Sequence, residues 1–99
     1  TYLNKAKYEP ARHLKRRPRG LESMPLLGIF SQRAKDRPNP IGITTVRVIR
    51  TGTDHLEVQR LDAINGTPVL DIKPYYPSCD RIENPRTPEW VAELMKDYF

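Results

Sequence analysis

The chain has 99 residues, 37 % of them hydrophobic and 29 % charged, with 17 Lys or Arg against 12 Asp or Glu and a formal net charge of +5. A single small domain of this length, residues 1–99, buries only somewhat more than roughly 60 % of its unfolded surface, which excludes a thick dry core and makes a homodimer or a bound ligand the expected source of further burial. Cys79 is the single cysteine, so an internal disulfide is excluded and the cytoplasm is the expected compartment; neither a membrane-spanning apolar run nor a signal peptide is read.

Residues 1–26 place Pro10, Pro18, Gly20 and Pro25 among basic residues with no sustained apolar period, and read as a loop-rich basic segment. Charge is concentrated in the same half: residues 1–37 hold ten Lys or Arg against three acids, a net of +7, whereas the remainder holds seven against nine, a net of −2. The cluster from Arg12 to Arg19, which includes Lys15, Arg16 and Arg17, is dense enough to neutralise several phosphates, as a polyanion partner requires, and equally suits a solvated loop. Leu26 to Ser31 is a short apolar run after Pro25 and reads as a buried strand. Arg37-Pro38-Asn39-Pro40-Ile41-Gly42 then forms a corner that two prolines hold rigid.

From Ile41 to Arg50 the apolar positions change phase around Thr44 and Thr45, which predicts a bulge or a strand covered on both faces. Thr51-Gly52-Thr53-Asp54 is a tight turn, and Leu56 and Val58 alternate with Glu57 and Gln59, so a hairpin is expected here. Asn65-Gly66 turns the chain into a strand over Thr67 to Lys73, which Pro74 and Pro77 end. At the C-terminus, Thr87 as cap, Pro88 in the first turn and the stripe of Trp90, Val91, Leu94, Met95 and Tyr98 predict one amphipathic helix over 87–98, with the stripe as core or dimer contact. Short strands at close spacing with no crossover helices predict a mainly β fold, a small antiparallel barrel or barrel-like sheet with one C-terminal helix.

Arg33 and Arg37 flank Asp36 beside a stiff backbone, an arrangement that suits a carboxylate or a phosphate and equally a structural ion pair with Asp36. Asn39 offers an amide carbonyl to an exocyclic amine, although a turn-forming Asn-Pro explains it as well. Leu61-Asp62-Ala63-Ile64 precedes a sharp turn, and its carboxylate among apolar neighbours suits an adenosine or a sulfonium-bearing cofactor, or else caps its own turn. Asp71 and Lys73 share one strand face, as an ion pair or as a base with a charged neighbour. His13 and His55 have no ligand-type residues at metal spacing, so no metal is expected, and no G-x-G-x-x-G supports a Rossmann-type site.

The two proline-rich stretches, Arg37 to Gly42 and Asn65-Gly66-Thr67-Pro68-Val69-Leu70-Asp71-Ile72-Lys73-Pro74-Tyr75, together resemble the paired signature of the TsaA-like family, the TrmO-type tRNA methyltransferases: R-P-N-P-I-G followed by D-G-T-P-x-L-D-I-K-P-Y. The resemblance covers about Arg17 to Tyr76. It implies a dimeric β-barrel enzyme that binds S-adenosylmethionine and methylates threonylcarbamoyl-modified adenosine beside the tRNA anticodon. It further implies cofactor contacts at Arg33, Thr45 and Leu61, Asp62, Ala63 and Ile64. Asn39, Asp71 and Lys73 become the catalytic candidates, and Arg37 and Tyr75 join Lys15, Arg16, Arg17 and Arg19 as substrate contacts. Two departures are evident. Asn65 stands where the family has aspartate, and the family's first strands, which complete its cofactor pocket, have no counterpart here, so an N-terminally truncated domain is expected. The alternative is a non-catalytic dimeric module of the same descent that binds RNA or a small molecule.

Overall fold

The structure is a computed structural model that describes residues 1–98. Its first element is a pairing at the very start of the chain. Tyr2 bridges Ile41 in antiparallel fashion, with Leu3 N donating to Pro40 O over 2.8 Å and Gly42 N to Thr1 O over 2.9 Å. On the other side of the same segment, Tyr2 N donates to Pro68 O over 2.9 Å. The two proline-rich corners therefore flank one short extended segment, Thr1 to Leu3. Gly42 is required by the close approach, because a Cβ there would sit 2.8 Å from Thr1 Oγ1.

Helix α1 is a single turn, Pro10–His13, followed by strand β1, Lys15–Arg16, which pairs antiparallel with β2, Leu27–Gly28. Leu14 O extends this ladder by accepting from Ile29 N over 2.9 Å. The expected strand over Leu26 to Ser31 is thus only two residues long, and Ile29–Ser31 turns into a 3-10 helix. Its partner strand ends at Arg16, because Pro18 has no N–H to donate and starts a 3-10 turn of its own. Met24 and Ile29, 3 % and 1 % exposed, are the buried hydrophobic core here, joined by Pro18 and Gln32. Gln32 Nε2 donates to Arg16 O and Leu27 O, at 2.9 and 3.2 Å, and so ties together the two strands of this sheet.

The expected hairpin forms: β3, Arg47–Thr51, pairs antiparallel with β4, Leu56–Gln59, around a turn closed by Gly52 N to His55 O over 2.8 Å. Its irregularity lies between Val48 and Arg50, not at Thr44 and Thr45. Residues 43–46 belong to no strand, so the change of apolar phase there reflects the absence of a ladder. The Asn65-Gly66 turn is present, with Gly66 at φ 88° and Thr67 N donating to Ile64 O over 3.1 Å. Thr67 to Lys73 is not a strand as expected, since nothing among the described residues pairs with it beyond the Tyr2 contact at Pro68. Helix α2, Pro77–Asp80, follows, and then α3, Glu89–Met95. The C-terminal helix is shorter than the expected 87–98; Pro88 occupies the N-cap position, and no side-chain hydrogen bond caps the helix.

Among the described residues the β3–β4 and β1–β2 ribbons stand apart and no barrel closes. The accessible surface is 8817 Å², against about 5,800 Å² for a compact monomer of this mass. The radius of gyration is 15.7 Å where about 13 Å is usual. Ile43, Phe30 and Ile72, 80 %, 75 % and 69 % exposed, illustrate how much apolar surface this openness leaves uncovered.

Candidate functional site

Two hollows are lined by charged side chains. The first, about 250 Å³, is lined by Arg60, Leu61, Asp62 and Tyr98. The backbone that forms it turns sharply after β4, where Arg60 adopts φ 71°, a left-handed conformation that costs a non-glycine residue of order 1–2 kcal/mol. The turn directs the chain from the hairpin into Leu61 and Asp62. From the opposite end of the sequence, α3 and the bond from Tyr98 N to Met95 O, 3.1 Å, bring Tyr98 over the same corner, where its hydroxyl donates to Asp62 Oδ2. That hydrogen bond to the carboxylate is the main reason the Tyr98 phenol titrates above its ordinary value.

The second hollow, about 240 Å³, is lined by Arg16, Arg19, Arg33, Ala34 and Lys35. Asp36 sits at its edge and neutralises one of these cations: its Oδ2 lies 3.2 Å from Arg16 Nη1 and 3.8 Å from His13 Nε2, while Oδ1 accepts from Lys7 N at 3.3 Å. Arg19, Arg33 and Lys35 make no ion pair with any acid among the described residues. Arg19 is itself held at φ 54°, at the tip of the turn that Pro18 begins. The positive charges of Arg33 and Arg19 partly oppose the upward shift of the Tyr98 phenol.

Several residues singled out in the sequence therefore meet. Arg33 shares the basic hollow with Arg16 and Arg19, and Leu61 and Asp62 line the other. Arg17 points elsewhere: its Nη1 donates to Met24 O, which pins the turn over the core. Arg37 donates from Nη1 to Ile29 O and Gln32 O at 2.9 and 2.8 Å, and its guanidinium lies 5.3 Å from the centre of the Phe30 ring. It does not pair with Asp36. Asp71 and Lys73 form an exposed ion pair of 2.7 Å, in which the ammonium holds the Asp71 carboxyl below its ordinary range and the carboxylate raises Lys73. Lys15, Asn39, Thr45, Ala63, Ile64 and Tyr75 line neither hollow; Ile64 O accepts from Thr67 Oγ1 at 2.7 Å within the Asn-Gly turn. Among the described residues no three His, Cys, Asp or Glu side chains are grouped to hold a metal ion, and no helix is long and apolar enough to cross a membrane.

Tyr98, Arg60 and Lys35 were not identified in the sequence. Tyr98 ended an apolar helical stripe and was read as packing; its polar tip, at the end of that stripe, was the available signal.

Comparison with known proteins gives this site a lineage. Residues 1–81 match the family model described as the tRNA-methyltransferase O N-terminal domain. A probable S-adenosyl-L-methionine-binding protein of Pyrococcus abyssi is 49 % identical over 59 residues, covering 60 % of this chain and 32 % of the relative. A similarly described protein of Methanocaldococcus jannaschii is 39 % identical over 72 residues, covering 73 % of this chain and 57 % of its own. The human tRNA (adenine(37)-N6)-methyltransferase is 41 % identical over 71 residues, which cover 72 % of this chain and 15 % of that enzyme. The match thus spans less than two thirds of each of these relatives, and no solved structure matches. With the match running through both proline-rich corners and through the Arg33 and Leu61-Asp62 positions that border the two hollows, the chain belongs to the tRNA-methyltransferase O N-terminal domain family.

Proposed function

We propose that this chain is an S-adenosyl-L-methionine-dependent tRNA methyltransferase that acts on an adenine amine, with threonylcarbamoyladenosine beside the anticodon as its target, in the cytoplasm. The observation that carries this reading is that one hollow offers the Asp62 carboxylate, held by Tyr98, and the other the guanidinium groups of Arg33 and Arg19. S-adenosylmethionine bears a carboxylate, an ammonium, a sulfonium and a ribose diol. A carboxylate together with guanidinium groups offers complementary partners to each. Arg33 would pair with the ligand's carboxylate and Asp62 with its hydroxyls or cationic groups, while Leu61 supplies apolar contact. Each hollow alone is smaller than the ~300 Å³ at which ligand pockets begin, so a ligand of this size needs both.

When bound, the cofactor supplies a methyl group already activated on sulfonium. The protein's work is to align the amine and stabilise charge. Asn39 and Asp71 lie in the two corners that flank Thr1 to Leu3, and their oxygens are suited to hold the hydrogens of an adenine amine. Asp71, kept ionised by Lys73, is a weak base. It serves as an acceptor that stabilises developing positive charge, and Lys73 orients it. Arg19, Lys35 and the basic surface around Lys15 and Arg16 meet RNA phosphates. The exposed apolar edges along 42–46 and 67–72 are covered in a homodimer, in which the antiparallel barrel is completed.

A second reading has its own observation: Asn39, Asp71 and Lys73 are solvent-exposed and line neither hollow. That arrangement fits a module that binds RNA without methylating it. Calorimetric titration with S-adenosylmethionine and transfer of labelled methyl to tRNA with and without the threonylcarbamoyl group separate the two. Saturable binding together with transfer to the modified tRNA alone supports the enzyme. RNA binding with no cofactor uptake would leave the module.

A further inference from the structure

The segment after residue 81 lies outside the family match, yet it returns to the site. Helix α3 and the turn from Met95 to Tyr98 bring a hydroxyl to Asp62, 36 positions away in sequence, and the two side chains line the same hollow. The carboxylate stands on an exposed loop where, without a partner, it would rotate freely. A phenol is a well-suited holder for it. It donates one hydrogen bond to Oδ2, leaves Oδ1 able to accept from a ligand, and, being neutral, does not cancel the carboxylate's charge as an arginine would. Its ring at the same time closes one side of the hollow.

The geometry points to Tyr98 as a positioning residue: the C-terminal segment completes the cofactor site by fixing the Asp62 carboxylate through the Tyr98 hydroxyl. This inference rests on the cofactor reading above. Besides Asp62, the charged groups that act on Tyr98 are Arg33 and Arg19, both cationic, with Arg60 on the wall of the same hollow.

The test uses the full chain with tyrosine labelled at Cζ, as parent, Tyr98→Phe and Asp62→Asn. Carbon NMR through an alkaline titration follows the Tyr98 resonance, assigned by its loss in Tyr98→Phe. It should titrate above the ordinary 10.0 in the parent and move back towards that value in Asp62→Asn. Calorimetry should show S-adenosylmethionine bound about tenfold more weakly by Tyr98→Phe, and rates at saturating cofactor should fall by less than about twofold. A set of tyrosine titrations identical in parent and Asp62→Asn overturns the inference, because no tyrosine then senses the Asp62 carboxylate, and that comparison needs no assignment from Tyr98→Phe. Cofactor binding by Tyr98→Phe as tight as the parent's overturns it as well, while leaving the cofactor reading intact. A parent with the expected titration but no cofactor binding overturns both.

Discussion

Arg37 donates to the carbonyl of Gln32 over 2.8 Å, and through the same nitrogen to that of Ile29 over 2.9 Å. The arginine that opens the proline-rich corner therefore fastens it to the buried turn at Ile29. Arg37→Ala should cost about 2 kcal/mol, because two partly buried carbonyls lose a charged donor. Arg47→Ala, on an exposed position of β3, should stay within about 0.5 kcal/mol. Urea midpoints at unchanged slope give both values.

Gly42→Ala places a methyl 2.8 Å from Thr1 Oγ1 and 3.5 Å from Leu3 Cδ2. The first segment has to move away from the corner, at a cost of about 1–3 kcal/mol. Removing the obstructing hydroxyl should recover most of it, so Gly42→Ala combined with Thr1→Gly is expected to lose less than the two single changes added together. A double-mutant cycle by denaturation measures the coupling.

Arg19, Arg33 and Lys35 make no ion pairs with acids among the described residues, whereas Arg50 is held by Glu57 at 2.5 Å in the hairpin. Alanine at each of the first three should lower the slope of log affinity for tRNA against log salt by about 0.7–0.9. Arg50→Ala should leave that slope unchanged. Filter binding at several salt concentrations reads the difference.

Because Lys73 holds Asp71 below its ordinary 3.8, the carboxylate stays ionised throughout the neutral range. Its contribution to stability is present above 3.8 and lost as the pH falls through the lowered folded value; in so exposed a pair it is small. Methyl transfer should accordingly show no acid limb from Asp71 at neutral pH, and Asp71→Asn should slow it by about tenfold or more without altering the profile. Tyr98 works in the opposite sense. Its raised folded value means that the bond to Asp62 contributes below 10.0 and is lost as the pH rises through that raised value. A pH–rate profile checks the first, and stability of parent against Tyr98→Phe in alkaline buffer the second.

The hairpin was legible because Gly52 and the alternation of Leu56 and Val58 act within a few residues of each other. The strand expected at Leu26 to Ser31 is only two residues long and the one at Thr67 to Lys73 does not form, since a strand exists only where another edge accepts its hydrogen bonds. Arg37 was read as a ligand for an anion or a partner for Asp36. Which acceptor it takes depends on where the Ile29 and Gln32 carbonyls come to lie, and nothing in its neighbours reveals that.

By itself the sequence determined the corners of this protein. Pro38, Pro40 and the Asn65-Gly66 pair restrict their own φ and ψ whatever surrounds them, and the family signature is written in those same residues. Only the tertiary structure decided which charges are spent on the scaffold and which border a hollow: on one side Arg17 to Met24 and Arg37 to Ile29 and Gln32, on the other Arg19 and Arg33 in one hollow and Asp62, held by Tyr98, in another. Hydrogen bonds and charge pairs act through a few ångströms of space, and residues 36 positions apart acquire that proximity only when the chain has folded.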